Sequence, residues 1–451
     1  MKNKAVLGKE NCLPALAVIG IALGLISVVS AGTLFDLFLC ALIAYAIYKY
    51  SPSDEKDFLI KLFISGVVLR ILLLVLIQSM LMHNGRWFES YGDKAVYLFG
   101  DEGYYTIRSW WITQYVSGLD LGASKFNNAF GFYGQSFYLY IVAFFYYLFG
   151  YSPVSVVFLN IIFGVLTGIV YYFIGLEIAG RNAARVAAIV TVFFPSLVIW
   201  SISNLKDPLF IFLMGIILLS FVKLVKNNRL RYIWPIFIAL LLQLLVRPKT
   251  YLYIMAVMTW VIASYLMIRK KIRLSHMILL IMILIVLLPA LYPKFESVKI
   301  ALVNQQKAAA SGGIHYRIYD DWVYHNFADV SKVTNFQLLK ALFKGWVHFF
   351  LEPFIWKTRS FASLSVFPQM VVWYFIVLFG FLGLFAKLKQ NDGVAVSLIV
   401  FLLLVGSIFA MTGGNIGTTF RMRDMLTPLI ILFSSIGISD HLQVRQDKGR
   451  I

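Results

Sequence analysis

The stretch Gly100-Asp101-Glu102-Gly103-Tyr104-Tyr105 sets two adjacent carboxylates at the head of an aromatic segment. That segment runs through Arg108, Trp110 and Trp111 to Tyr115. Acids are scarce in this chain, 21 Asp and Glu against 40 Lys and Arg, so a paired Asp-Glu between apolar runs needs a reason. A carboxylate at a membrane face takes a proton from an acceptor hydroxyl or amine as general base. An Asp-Glu pair also holds Mg²⁺ or Mn²⁺ through oxygen ligands, and it serves equally as plain acids capping the helix that follows.

Three further polar clusters interrupt apolar sequence. Ser201-Ile202-Ser203-Asn204-Leu205-Lys206-Asp207-Pro208 follows Phe194-Pro195-Ser196; Asp207 suits an N-cap, and Pro208 suits the first turn of the next helix. Arg247-Pro248-Lys249 stands at a span end, where long basic side chains also snorkel to headgroups. Phe420-Arg421-Met422-Arg423-Asp424 precedes a last apolar run that carries Pro428. A guanidinium is a planar fork of donors that matches phosphate oxygens, so these cations suit a phosphate or diphosphate whose charge grows as it leaves.

The elements that hold these clusters are membrane spans. The 451 residues are 60% hydrophobic and 14% charged, with mean hydropathy +0.81, far from an average soluble domain. The apolar residues lie in blocks of the roughly 20 residues that cross a bilayer. Continuous apolar runs exclude a β-barrel, so the fold class is an all-α polytopic membrane protein. Spans fall near 13–31, 33–49, 59–82, 153–176, 187–204, 208–222, 233–246, 250–268, 276–292, 366–386, 393–411 and 425–439, about twelve, within 11–13. The run 135–149 is short and reads as a juxtamembrane or re-entrant helix. The net charge of +19 sits mostly in short loops, which places them in the cytoplasm and argues for membrane lipids as neighbours, not nucleic acid. Cys12 and Cys40 lie in or beside apolar segments and support neither a disulfide framework nor a metal cage.

This topology puts Asp101, Glu102, Lys206, Asp207, Arg247, Lys249, Arg421 and Arg423 on the extracytoplasmic face, where positive-inside logic leaves the cations unexplained. The organisation is then a transmembrane catalytic module over 1–292, including a first outer loop at 83–152; an extracytoplasmic loop at 293–365; and C-terminal helices with a cytoplasmic tail at 366–451. In the late loop His315, His325 and His348 lie near Asp320, Asp321 and Asp329, more as ordinary loop residues than as metal ligands. Ala308 to Gly313 reads as a mobile stretch, a possible lid.

The ordered motifs resemble the GT-C class of polyprenyl-phosphate-dependent glycosyltransferases, which includes protein O-mannosyltransferases and the aminoarabinose transferase of lipid A. The resemblance is carried by Asp101-Glu102-x-x-Tyr105, Tyr146 to Val154, Gly180-Arg181-x-x-Ala184-x-x-Ala187-Ala188, Pro195-Ser196 through Lys206-Asp207-Pro208, and Phe420-Arg421-x-Arg423 with Pro428. It covers about 95–225 well and 420–430 moderately. It implies sugar transfer from a polyprenyl-phosphate donor to a glycan, lipid or protein acceptor, at the outer face of a bacterial inner membrane. Asp101 would be the catalytic base or acceptor-orienting acid with Glu102 beside it. Lys206, Arg247, Arg421 and Arg423 would bind the donor phosphate, and Tyr105, Asp207 and Lys249 would contact substrate. Some relatives use Mg²⁺ or Mn²⁺ and others do not. Two features depart from the class: three spans precede the acidic loop instead of one, and Phe132-Tyr133-Gly134-Gln135 replaces a His-Pro-Pro or Lys-Pro-Pro.

An O-antigen-type lipid-linked oligosaccharide polymerase or ligase is the rival class, since it too has a long late loop and outer arginines. The early Asp-Glu motif argues against it. A transporter would place charges at mid-span or show an inverted repeat; Glu177 is the main mid-chain charge, near a cytoplasmic helix end.

Overall fold

The computed structural model describes residues 31–83, 98–131, 136–269, 296–311, 314–325, 327–354 and 361–448. The expected spans near 13–31 and 276–292, residues 132–135 and Gly312-Gly313 lie outside the described residues, apart from Ala31. The described chain is helical; it holds no strand, only an isolated antiparallel bridge between His315 and Asn415.

Among the described residues seven helices are long and apolar enough to cross a membrane: Ala31–Tyr50, Lys56–Met80, Pro153–Ile178, Asp207–Asn227, Val366–Lys389, Gly393–Thr412 and Ile416–His441. The protein is an all-α polytopic integral membrane protein. Shorter apolar helices occupy Phe137–Phe149, Leu230–Val246 and Leu252–Ile268, so two expected spans are present as short helices. The expected single span at 187–204 is instead a bent pair, Arg181–Phe193 and Pro195–Ser201, meeting at 53°. The cause is Pro195, which has no N–H to give and forces Phe194 out of helical backbone, to φ −66° and ψ 121°.

Local chemistry sets the helix ends. Asp392 Oδ1 accepts the N–H groups of Val394 and Ala395 at 3.1 and 3.2 Å and starts Gly393–Thr412. Asn228, at φ 51°, closes Asp207–Asn227 in the left-handed region that Asn tolerates.

The chain divides into two compact units, residues 1–163 with 201–205, and residues 164–200 with 206–451. In the first, helix Gly100–Val116 packs on helix Phe137–Phe149, burying Ile107, Trp111 and Ile112 along with Tyr138, Leu139, Val142 and Tyr146. Thr113 Oγ1 donates to the Ala143 carbonyl at 2.9 Å across that contact. Phe35 of helix Ala31–Tyr50 stacks on Phe149 at 5.1 Å.

In the second unit, helix Ile416–Lys448 packs against helices Phe361–Lys389 and Arg181–Phe193. Gly383 and Gly437 let two of these backbones meet, and a Cβ on either would strike the other helix's main chain. Membrane helices associate by such small-residue contacts, because lipid is as apolar as leucine. Lys226 pairs with Glu177 at 3.4 Å, which accounts for the main mid-chain acid as a surface ion pair.

Replacing Gly383 by Val should lower thermal stability in detergent by about 2 kcal/mol through overpacking. The same change at Gly118, which has open space around it but a positive φ of 83°, should cost less.

Candidate active site

Each unit carries a polar centre. In the first, Glu102 is 6% exposed and both its oxygens accept main-chain N–H groups, Oε1 from Asn204 and Oε2 from Leu98, each at 2.9 Å. The Asn204 amide is gripped from two sides: its Nδ2 donates to Thr106 Oγ1 at 2.8 Å, and its Oδ1 accepts from the Tyr138 hydroxyl at 2.8 Å. Asn160 Nδ2 serves the Ser203 and Leu205 carbonyls at 2.8 Å each and the Tyr138 oxygen at 3.0 Å. Arg70, wholly buried in Lys56–His83, donates from Nε to Ser201 Oγ at 2.7 Å.

After Ser201 ends its helix, the segment 202–205 is non-repetitive backbone inside a buried setting, where an unmet N–H or C=O costs about 1–3 kcal/mol. Glu102, Asn160 and Arg70 hydrogen-bond to this segment's backbone and Ser201 hydroxyl. Glu102 is therefore a clasp. Asp101, one residue earlier on the first turn of Gly100–Val116, is exposed and faces away from that packing. Tyr105 is buried edge-on to Tyr138 at 5.5 Å, and Arg108 lies over the Tyr104 ring at 4.6 Å.

Burial pushes the Glu102 carboxyl above its ordinary 4.5, while the N–H groups of Asn204, Leu98 and Phe99 pull it down. Glu102 turns inward to main-chain N–H groups, while Asp101 is exposed. No group of three or more His, Cys, Asp or Glu side chains converges among the described residues. In the late loop Asp320 pairs with Lys340 at 2.9 Å and Asp321 with Arg317 at 3.1 Å, so both serve ion pairs. The side chain of Asp329 is not among those described.

In the second unit Asp207 is the hub. Its carboxylate is 1% exposed and receives Arg247 Nη2 on Oδ1 and Arg421 Nη2 on Oδ2, both at 2.5 Å. The sequence expectation that Asp207 caps its helix is corrected here: Lys206 holds the cap position with no side-chain cap bond, and Asp207 begins the helix. Arg247 lies over the Phe210 ring at 5.3 Å and Arg421 over the Trp200 ring at 5.7 Å. Their side chains remain 15% and 21% exposed. With Lys206 adjoining, three cations face one carboxylate, and the cluster keeps a positive surplus.

Arg423 is not part of that cluster. It is 1% exposed, donates to the Glu352 carbonyl at 2.6 Å, and is flanked by Phe420 and Trp373 at 4.3 and 4.6 Å. Next to it, Asp424 accepts from Trp200 Nε1 at 2.6 Å. Lys249 falls in the one-turn helix Pro248–Thr250, and its side chain is not among those described. The residues that sequence reasoning passed over are Asn160, Asn204, Tyr138, Arg70 and Trp200. Arg70 had a signal, a cation in the middle of an apolar run, but attention to charges between spans passed it by.

Residues 136–292 match the family model described as dolichyl-phosphate-mannose-protein mannosyltransferase. The match points to a GT-C glycosyltransferase. It supports a membrane enzyme that uses polyprenyl-phosphate sugar donors. The matched segment holds Tyr138, Asn160, Asn204, Lys206, Asp207 and Arg247, while Asp101, Glu102 and Arg421 lie outside it. Comparison with curated proteins gives no match.

Asp207→Asn should destabilise the protein by about 3 kcal/mol in thermal unfolding, because two largely buried arginines lose their counter-charge. Glu102 should make stability pH-dependent with a definite sign. Its folded value is raised, so its contribution is full below pH 4.5 and falls as pH rises through the folded value. Unfolding midpoints across that range should show this decline, and Glu102→Gln should flatten it.

Proposed function

We propose that the protein transfers a sugar from a polyprenyl-phosphate donor to an extracytoplasmic hydroxyl or amine acceptor. The observation that carries the reading is the Arg247–Asp207–Arg421 arrangement, two guanidiniums fixed by one buried carboxylate with Lys206 beside them. A carboxylate that orients two forks of donors gives a preorganised anion site, and charge stabilisation costs least when the donors need not move. The aromatic rings beneath the guanidiniums hold their planes.

In this reaction the acceptor oxygen or nitrogen attacks the anomeric carbon, and its bond to the phosphate oxygen breaks. The electron pair leaves with the lipid phosphate, whose extra negative charge falls to Arg247, Arg421 and Lys206. The acceptor proton goes to Asp101, the exposed carboxylate of the acidic pair. Glu102 and Asp207 are positioning residues: the first fixes the 203–205 backbone, the second the arginines. Tyr105 supports the same packing through Tyr138, and Arg423 anchors the start of the last span. Glu102 faces inward, so the reaction is written with Asp101 as the sole carboxylate at the acceptor and without an ion. Donor phosphate and acceptor both reach the outer face of a bacterial inner membrane in this reading.

Asp101→Asn should lower transfer from a polyprenyl-phosphate sugar by roughly 100- to 10,000-fold, the usual worth of a general base, with unchanged unfolding. Arg421→Ala should chiefly weaken donor binding. In cells lacking the gene, mass spectrometry should show build-up of a monosaccharide polyprenyl phosphate. Unaltered transfer by Asp101→Asn sinks its assignment, and single repeat units on a diphosphate would instead mark a polymerase.

A further inference from the structure

The second long polar stretch contains a helix, Asn335–Leu351, whose partners are not those of an aqueous loop. Thr334 starts it with reciprocal bonds to Gln337, side chain to main chain in both directions at 2.9 and 3.3 Å. From there the helix runs against membrane spans. Gly345 lies against the Ala410 main chain, where a Cβ would approach to 2.6 Å, and Trp346 covers Gly406 and donates to Ser407 Oγ at 3.2 Å. Gly406, Ser407 and Ala410 belong to the last two turns of span Gly393–Thr412.

The C-terminal end goes deeper. Trp373 Nε1 donates to the Phe350 carbonyl at 2.7 Å, and the Tyr374 hydroxyl to the Leu351 carbonyl at 2.9 Å. Span Val366–Lys389 places Trp373 seven residues inside its start, roughly 10 Å along the axis. Phe350 also packs on Phe381, about two turns further on, with ring centroids 6.2 Å apart. Two terminal carbonyls that water would satisfy in a loop are here satisfied by span side chains.

The face turned away from the protein is apolar. Leu338, Ala341, Gly345 and Phe349 are buried inward, while Phe336, Leu339 and Phe343 are 75%, 56% and 73% exposed. At 3.6 residues per turn these three continue into Trp346, Val347 and Phe350 as a stripe about 100° wide, with Lys340 and Lys344 along one border. Through the Phe350–Phe381 contact that stripe meets the exposed apolar face of span Val366–Lys389 formed by Val372, Phe375, Leu378 and Phe381. The helix is thus apolar both on its packed side and on this exposed stripe, with its polar residues confined to the strip that carries Lys340 and Lys344.

We propose that Asn335–Leu351 enters the bilayer beside spans Val366–Lys389 and Gly393–Thr412, its Phe336-Leu339-Phe343 stripe against lipid acyl chains, Lys344 reaching headgroups and Lys340 held by Asp320. The second polar stretch is then partly a re-entrant membrane element. The occupant of the stripe is lipid, because the surface it continues is a span's lipid-facing side.

The test uses the full-length protein in lipid nanodiscs, with Cys12→Ser and Cys40→Ser removing native thiols. Nitroxide labels go on Phe343→Cys or Leu339→Cys. Val372→Cys is the lipid reference, and Asp321→Cys, whose side chain is 78% exposed, is the aqueous reference. Both stripe labels should match Val372→Cys, with high accessibility to oxygen and accessibility to a water-soluble nickel chelate several-fold below Asp321→Cys. Chelate accessibility equal to Asp321→Cys places the stripe in water and overturns the proposal. Shielding from both reagents makes the occupant protein and overturns it equally.

Discussion

Irregular backbone inside a membrane protein is tolerated only when every N–H and C=O finds a partner within the protein. Between Phe194 and Asp207 the chain has two such breaks. Pro195 breaks a helix that would otherwise continue, and Ile202 to Lys206 leave the helical ladder. Main-chain groups that helices would satisfy internally fall to side chains: Glu102 takes the Asn204 N–H, and Asn160 serves two carbonyls at once. The side chains that meet this demand come from helices Gly100–Val116 and Pro153–Ile178, which explains why those helices carry polar residues at buried positions. Once the break is satisfied, the chain presents Lys206 and Asp207 at the head of a new span.

Charge is treated differently on the two sides of that break. Glu102 carries a single carboxylate against neutral donors, and burial raises its proton affinity. Asp207 is ringed by cations, so its charge is matched by more than one partner. A buried ion pair adds little stability on its own, since desolvation offsets attraction. Its value is geometric: it holds Arg247 and Arg421 side by side and leaves part of each accessible.

Much of the architecture was legible in the sequence. Apolar blocks of span length, separated by short basic loops, led to a polytopic helical protein, and the seven long apolar helices among the described residues fall on those blocks. The broken span was marked by Phe194-Pro195, yet the distance from Ala187 to Asn204 suits one span, and the angle of the break is set by packing. Asp207, Arg247 and Arg421 could be singled out in the sequence as charges that the span pattern leaves on the side opposite the basic loops. Their convergence could not, because residues 40 and 214 positions apart meet only through the tertiary fold. The adjacent pairs misled most. Asp101 and Glu102, like Arg421 and Arg423, look equivalent in a string. A helix turns about 100° per residue, so neighbours one or two apart diverge, and one of each pair is exposed or half-exposed while its companion is buried in structural bonds.

The reach of Asp207 has a consequence for how the molecule is made. A ribosome delivers Arg247 soon after Asp207, whereas Arg421 emerges only with the final span, 214 residues later. Until then the carboxylate has a single guanidinium, and the cluster lacks one of its three cations. Chains that stop before Ile416 carry most of the spans yet lack half of the clasp on Asp207. The two-guanidinium clasp on Asp207 thus forms only after the chain has been made as far as Arg421.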